Sequence, residues 1–466
     1  MVGRLILTLI ALLGLSACAG GISRTEEMGA DIAIVGVTII PMTEGTTTLA
    51  DHTVLIRAGR ISAVGPRDRV VVPAGAHVVQ GGNRYLVPGL ADAHVHLEYV
   101  PDPNVLKLFV ANGVTSVRSM DGRPYVLDWR RGVKAGIIVG PRIVTAGPII
   151  DGSPPARADN LSVASAAEAR AEVARQAAAG YDFIKLYTNL SAEAYAAAIN
   201  EARQRGLRVA GHIPKAVPLE TAMGSQWSIE HLGDFASAVA APGGPAPPAW
   251  ARRTLAAPLG ESRVAALSRQ LASSQVWVVP TMIQQDRWLG SAAEVERWAS
   301  EPAIRNLPEA VLGQWRRVNG RFAARMDADD WTMLAQARSN RLVVLGALHR
   351  AGVKLAVGTD TPNPFVAMGA SIHHELASFV AAGLSPQEAL KAATVAPARL
   401  FGLEEEQGTI EVGKRADLLL LARNPLDDIG HVAVPVGLVL NGRWFSDTDL
   451  KALVRDLTLR PDHLAK

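Results

Sequence analysis

Between Leu86 and Gly402 the chain repeats one rhythm: a short apolar, β-branched run, then an Ala-rich stretch with helical spacing. Such alternation argues for βα units around a parallel sheet. Eight runs are strand candidates: Leu86–His96, Gly113–Met120, Arg142–Ile150, Asp182–Tyr187, Arg208–His212, Ser228–His231, Trp277–Met282 and Lys354–Asp360. Eight is the number that closes a (β/α)8 TIM barrel, and the expected fold class is α/β. Between strands, Ser165–Gly180 and Ser191–Arg205 read as helices. Ser165 and Ser191 stand at N-cap positions, and Glu168 completes a capping box with Ser165.

Two stretches exceed a minimal barrel. Ala236 to about Pro258 is rich in Pro, Ala and Gly and reads as a loop. Residues 284–352 form a helical insertion after the seventh strand, on the face where barrel active sites lie. A lid or pocket wall is expected there, with an exposed decoration as the alternative. Residues 31–85 carry short β segments punctuated by Gly36, Gly45, Gly59 and Gly81-Gly82, and 403–450 has the same texture. Both ends are expected to build one small β domain around a barrel spanning 86–402.

The first thirty residues read as targeting sequence. Arg4 precedes an apolar run from Leu5 to Leu15, too short for a mature membrane span, and Ser16-Ala17-Cys18 follows. L-S-A-C resembles a bacterial lipoprotein signal, which implies cleavage before Cys18 and lipidation of its thiol. Residues 1–18 are then the signal with its lipidation cysteine, and 19–30 a tether. Ala19 after the cysteine implies the outer membrane of a Gram-negative cell envelope, with a soluble periplasmic or secreted protein as the alternative. The lipid anchor is the expected membrane contact. Net charge is only +3, spread along the chain, and no basic run interleaves with aromatics, so nucleic acid is not an expected partner. Self-association into a homo-oligomer is left open.

The chemistry lies at the strand ends, which share one rim of a barrel. Strand one ends in His94 and His96, which project to the same side. Strand four supplies Lys185 and Tyr187, strand five His212, strand six His231 and strand eight Asp360. A cation among metal ligands would repel the metal. Burial lowers a lysine pKa, and the free amine can add CO2 to give an anionic, bridging carbamate. Two divalent ions would then be nearly neutralised by carbamate, Asp360 and a bridging hydroxide. Zinc suits the His-rich set; manganese and iron remain open. Arg118 could pair a substrate carboxylate or make a structural salt bridge. Tyr187 could bond a developing oxyanion or simply pack. One of His373 and His374 could face the pocket.

The motifs P-G-L-A-D-A-H-V-H, D-F-I-K-L-Y, V-A-G-H, S-I-E-H and L-A-V-G-T-D, with the tail H-E-L…A-G-L-S-P-Q-E-A-L-K-A-A-T…G-T-I-E-V-G-K-R-A-D-L-L-L-L, resemble the amidohydrolase superfamily. The likeness is to its imidazolonepropionase-like and Xaa-Pro-dipeptidase-like branch. It runs over about residues 31–445. It implies a (β/α)8 barrel beside a β-sandwich made from both chain ends. It further implies one metal on His94, His96, Lys185 and Asp360, and a second on Lys185, His212 and His231. Lys185 argues against a strict imidazolonepropionase, which uses one metal without a bridging lysine. The expected activity is hydrolysis of a C–N amide bond in a small-molecule substrate, a dipeptide or N-acyl amino acid. A metal-bridging hydroxide would attack, with Asp360 as general base and then acid. The same site could open a lactone, carbamate or cyclic amide, or the chain could be an inactive metal-binding lipoprotein. Gly211-His212-Ile213-Pro214-Lys215 departs from the H-A-H-G usual in dipeptidase-like relatives, which weakens transfer of Xaa-Pro specificity.

Overall fold

The computed structural model describes residues 31–455 and 457, except 244–246, 306 and 308. The expected signal, Cys18 and the whole of the tether therefore lie outside the described residues. Eight parallel strands form the barrel: β1 (Leu90–Val95), β2 (Val114–Ser119), β3 (Arg142–Thr145), β4 (Phe183–Leu186), β5 (Arg208–Gly211), β6 (Ser228–Glu230), β7 (Trp277–Val279) and β8 (Lys354–Leu355). Strands β1 to β3 pair in sequence, as do β4 to β8. Parallel bridges Ala146–Phe183 and Val95–Thr361 join the two arcs and close the ring. Asp92 helps hold that last seam. One carboxylate oxygen accepts from the Thr359 amide at 3.0 Å and the other from the Thr359 hydroxyl at 2.6 Å.

The helices follow their sequence signals. Helix Ala166–Ala179 starts where the Ser165 hydroxyl accepts from the Glu168 amide, and it ends at Gly180 with φ +84°. Helix Ala192–Gln204 is capped by Ser191 in the same way. The segment after β7 folds into helices Met282–Arg287, Ala292–Ala299, Glu309–Ala323 and Ala328–Arg350. Among the described residues no helix is long and apolar enough to cross a membrane.

The small domain is one eight-stranded sheet made from both chain ends. Strand Ile32–Ile39 pairs with Leu49–Arg57, and Tyr85–Pro88 links it to Leu418–Leu421 from the far end. The sheet curls until its edge strand Arg60–Pro66 meets the chain before Leu418. The Ile61 amide donates to Lys414 O at 2.9 Å, and the Gly413 amide to Ile61 O at 2.8 Å. Ile34, Ile39, Val54, Leu86, Leu418 and Leu420 fill the enclosed core. This is sandwich-like packing from a single hydrogen-bonded sheet.

One strand expectation is corrected. Leu86–His96 is two strands, with Tyr85–Pro88 in the small sheet and Leu90–Val95 in the barrel. Gly89 is the break. A Cβ there would lie 2.4 Å from Thr115 side-chain atoms, so only glycine lets the chain cross between the sheets. The third run likewise ends at Thr145, and Ile150–Asp151 is a separate short strand.

Candidate metal centre

Each site residue stands at or just past a strand's C-terminal end. His94 lies in β1 and His96 one residue beyond it; Lys185 is in β4; His212 and His231 directly follow β5 and β6; Asp360 follows β8. The alternation of β1 turns both of its histidines to one side. The result is a contiguous row of rings. Centroids are 5.4 Å apart for His96–His94, 4.9 Å for His94–His231 and 4.8 Å for His231–His212. Asp360 Oδ1 lies 3.3 Å from His94 Nε2 and 3.1 Å from His96 Nε2, and Oδ2 lies 3.9 Å from His231 Nε2. One ligand atom each of His94, His231 and Asp360 falls within a 4.8 Å group.

The far side of each ring is held. His94 Nδ1 is 2.8 Å from Glu230 Oε2, His96 Nδ1 is 2.5 Å from Glu98 Oε1, and His231 Nδ1 is 2.5 Å from Thr281 Oγ1. His212 Nδ1 lies 3.0 Å from Arg253 Nη2 and 3.4 Å from Asp234 Oδ2. At His94, His96 and His231 a carboxylate or hydroxyl behind the imidazole fixes ring orientation and leaves the opposite nitrogen aimed at the centre, the arrangement of metal-ligating histidines. Behind His212, Arg253 can only donate, and Asp234 is the acceptor for an Nδ1 proton. Sequence reasoning missed these supports. Only Glu98, two residues after His96, had a local signal; Glu230 and Asp234 flank His231 in sequence but stand behind His94 and His212, pairings that only the closed barrel makes.

The backbone pays for this convergence. His231, Thr281 and Asp360 have φ of +66°, +47° and +58°, a region costly for residues with a Cβ. Backbone bonds offset that strain: the Asp360 amide donates to His94 O at 2.7 Å and the His231 amide to Val279 O at 2.8 Å. Gly358 lets the last strand approach β1, since a Cβ there would meet Val279 at 2.5 Å and His94 at 2.8 Å.

Burial sets the protonation pattern. It pushes His212 and His231 well below the ordinary imidazole range, with Lys185 adding to the effect on both. It lowers Lys185 to about 8, against the pull of Glu230 and Asp360. His96 goes the other way, up to about 10, because Glu98 and Asp360 outweigh its burial. Asp360 stays well below the carboxylate range despite its burial, held there by His94 and His96.

The donor set fits divalent metal. Asp360 Oδ1 is buried and accepts no hydrogen bond, while oriented imidazole nitrogens face it. Imidazole nitrogens with a carboxylate are the ligands of zinc and its neighbours. Above them opens a cavity of about 270 Å³, lined by all six residues together with Tyr99, Tyr187, Arg157 and Arg253. Gln284, Gln285, Trp288 and Arg341 of the helical segment after β7 also line it, so that segment forms a pocket wall.

Three residues expected at the substrate stand elsewhere. Arg118 is fully buried beneath the site. It donates to Ala93 O at 2.6 Å, Ser228 Oγ at 2.8 Å and Glu230 Oε1 at 2.7 Å, and it packs over the Phe183 and Trp227 rings. The structural salt bridge is the alternative that holds. His373 and His374 sit on helix Ser371–Ala381, and neither lines the cavity. His374 faces outward, 3.8 Å from Glu301. Tyr187 does line the cavity, its ring edge-on to His212 at 4.5 Å.

A closed (β/α)8 barrel with a histidine–aspartate–lysine cluster at its C-terminal rim defines a metal-dependent hydrolase class. The chain belongs to the amidohydrolase family, whose match spans residues 85–445. It is 24% identical over 421 residues to 5-methylthioadenosine/S-adenosylhomocysteine deaminase of Symbiobacterium thermophilum, covering 84% of this chain and 85% of that protein. Among solved structures it resembles a candidate prolidase from Bifidobacterium longum, with TM-score 0.68 and 25% identity over 92% of this chain and 99% of that one. It also resembles bottromycin amidohydrolase, with TM-score 0.72 and 25% identity over 94% and 92% of the two chains. The protein is a metal-binding hydrolase acting on C–N bonds.

Proposed function

We propose that the chain hydrolyses the amide bond of a dipeptide or N-acyl amino acid at a dinuclear centre. The observation that carries this reading is Lys185. It is 1% exposed, its pKa is lowered to about 8, and it shares a cavity with four histidines and Asp360. A lysine so placed is a poor metal partner as a cation and a good nucleophile toward CO2 as the free amine. As a carbamate it would join His94, His96 and Asp360 around one ion, and His212 and His231 around the other. Zinc suits these donors best. Bound divalent metal would supply activated water at neutral pH and polarise the substrate carbonyl.

The protein's own groups account for the rest. Asp360 reaches the centre of the ring row and is held ionised, so it can take a proton from the attacking water and return it to the leaving amine. Burial raises the Tyr187 pKa, so its hydroxyl stays protonated and can donate to an oxyanion beside His212. Arg157 and Arg253 line the cavity, whereas Arg118 does not. Arg157 also pairs with Asp159 at 3.2 Å and Arg253 with Asp234, so a substrate carboxylate would share these guanidiniums with acids already in place.

Metal analysis of Lys185→Ala tests the reading. Wild-type protein supplied with zinc and bicarbonate should hold about two equivalents and cleave dipeptides or N-acyl amino acids. The variant should lose metal and activity together, with partial rescue by a short carboxylic acid. Unchanged metal content and turnover in Lys185→Ala would remove the carbamate. A wild type active on lactones but not on amides would remove the substrate class.

A further inference from the structure

The end of the barrel opposite the metal centre carries a different chemistry. Four strands begin there with Arg142 (β3), Arg208 (β5), Trp277 (β7) and Lys354 (β8). Two open cavities of about 860 and 850 Å³ adjoin at Gly206, Arg208 and Trp227. Together they are lined by ten Arg and Lys residues against three Asp and Glu. Lys134, Arg203, Arg208 and Lys354 have no carboxylate partner among the described residues. Arg208 is held by Leu400 O at 2.9 Å and stacks 4.8 Å over Trp227, and Lys354 stands 5.7 Å over Trp277. Arg130, Arg131, Arg142, Arg399 and Arg415 are paired with Asp182, Asp128, Glu406, Glu44 and Asp417, so the uncompensated charge of this face rests on Lys134, Arg203, Arg208 and Lys354. Like charges held together without counter-charges are unfavourable unless an anionic partner meets them.

Two further observations select the partner. Ile137, three residues after Lys134, is 82% exposed, and Val412, three residues before Arg415, is 63% exposed. Exposed aliphatics beside cations suit a headgroup–acyl boundary better than a soluble anion. The chain also enters the fold at this end. Asp31 pairs with Arg57 at 2.8 Å, Arg57 is cross-strand from Arg60 in the hairpin, and Arg60 lines one of the cavities. The twelve residues between Cys18 and Asp31 reach at most about 40 Å. A lipid on Cys18 would therefore keep this face at the bilayer.

We propose that the base of the barrel, where ten Arg and Lys side chains line two open cavities and the exposed Ile137 and Val412 lie within three residues of Lys134 and Arg415, is a docking face for an anionic phospholipid bilayer. Docking there holds the metal centre and its cavity on the side away from the membrane, open to soluble substrate. With a lipid on Cys18, the face would add an electrostatic contact to that anchor.

The test is co-sedimentation of the metal-loaded chain from Ala19 onward with vesicles of phosphatidylcholine alone or mixed with phosphatidylglycerol. Binding is expected only to the phosphatidylglycerol vesicles, and molar salt should abolish it. Arg203→Glu combined with Lys354→Glu should weaken it about thirtyfold or more, with turnover and thermal midpoint unchanged. Ile137→Ala, a mild surface change, should weaken it a few-fold and serves if the double variant misfolds. Equal binding to both vesicle types, no binding to either, or binding indifferent to these substitutions would overturn the proposal. Displacement by millimolar inorganic phosphate would also overturn it, in favour of a small-anion site.

Discussion

Arg118 is the residue at which substrate binding and scaffold support predict opposite results. Its guanidinium makes three short bonds inside the barrel, and its carboxylate partner Glu230 is itself fully buried. Arg118→Met fills most of the volume and removes the charge. Glu230 then keeps only the Ser228 hydroxyl at 2.6 Å and the His94 ring at 2.8 Å. Breaking a buried pair by deleting one partner costs about 3–5 kcal/mol, because the remaining charge is left uncompensated. Against a typical total of about 5–15 kcal/mol this is a large fraction, and the urea midpoint should fall by about 1 M. Glu230→Gln placed in the same chain should recover part of the loss, with a coupling of about 0.5–3 kcal/mol. The assay is urea unfolding of wild type, both single variants and the double variant, followed by fluorescence of the nine tryptophans. Steady-state kinetics on a carboxylate-bearing and an amidated substrate should run alongside. A variant with unchanged midpoint whose KM rises only for the carboxylate substrate would refute the scaffold role.

Other expectations follow from the same geometry. Glu230→Gln alone, which weakens the hold on His94 Nδ1, should lower metal affinity about 10–100-fold, read by competition with a chromogenic chelator. Arg157→Met, in the cavity wall beside Tyr99, should raise KM for carboxylate-bearing substrates more than it lowers kcat, and should leave the metal content at the wild-type value. Ser165→Ala removes an N-cap whose hydroxyl accepts from Glu168, and should cost about 1 kcal/mol in urea unfolding. Glu375 is buried, and its pKa is pushed up to about 8 by desolvation, although it accepts the Met282 and Ile283 amides. A carboxyl whose folded pKa is raised holds its proton while the unfolded chain releases it. Its contribution therefore falls as pH rises from about 4.5 to about 8. Wild type should lose stability relative to Glu375→Gln across that window, and a flat difference would show that Glu375 is ionised throughout.

The barrel was legible because its code is repetitive. Each of the eight runs carries β-branched residues, and the chemistry sits at the run ends, so counting runs and reading last residues assembles the ring row of His94, His96, His212 and His231 around Asp360. What strand endings cannot convey is which side chain lies behind another. Arg118 and His94 are neighbours across β2 and β1 through Ala93 O and Glu230, a relation made by barrel closure and by no local pattern. An arginine in an apolar run can be buried beneath the site or exposed at its rim, and nothing in T-S-V-R-S-M tells the two apart.

The same limit explains Leu86–His96. Hydrophobic continuity across Pro88-Gly89 hides a change of sheet, because burial on both sides leaves no polar residue to mark the passage. The mark is steric instead: Thr115 fills the space a Cβ at Gly89 would need. Arg157 and Arg253 escaped notice for a third reason. They come from irregular segments after strands three and six, whose paths depend on long-range packing, so neither strand period nor helix period points them at the cavity. The candidate metal ligands stand in or just past strands and are readable from the strand ends, whereas the cavity-lining arginines ride on loops and become readable only once the barrel is closed. Strand-end positions are thus legible in this sequence where loop positions are not, and the distinction should carry over to any barrel whose loops are long relative to its strands.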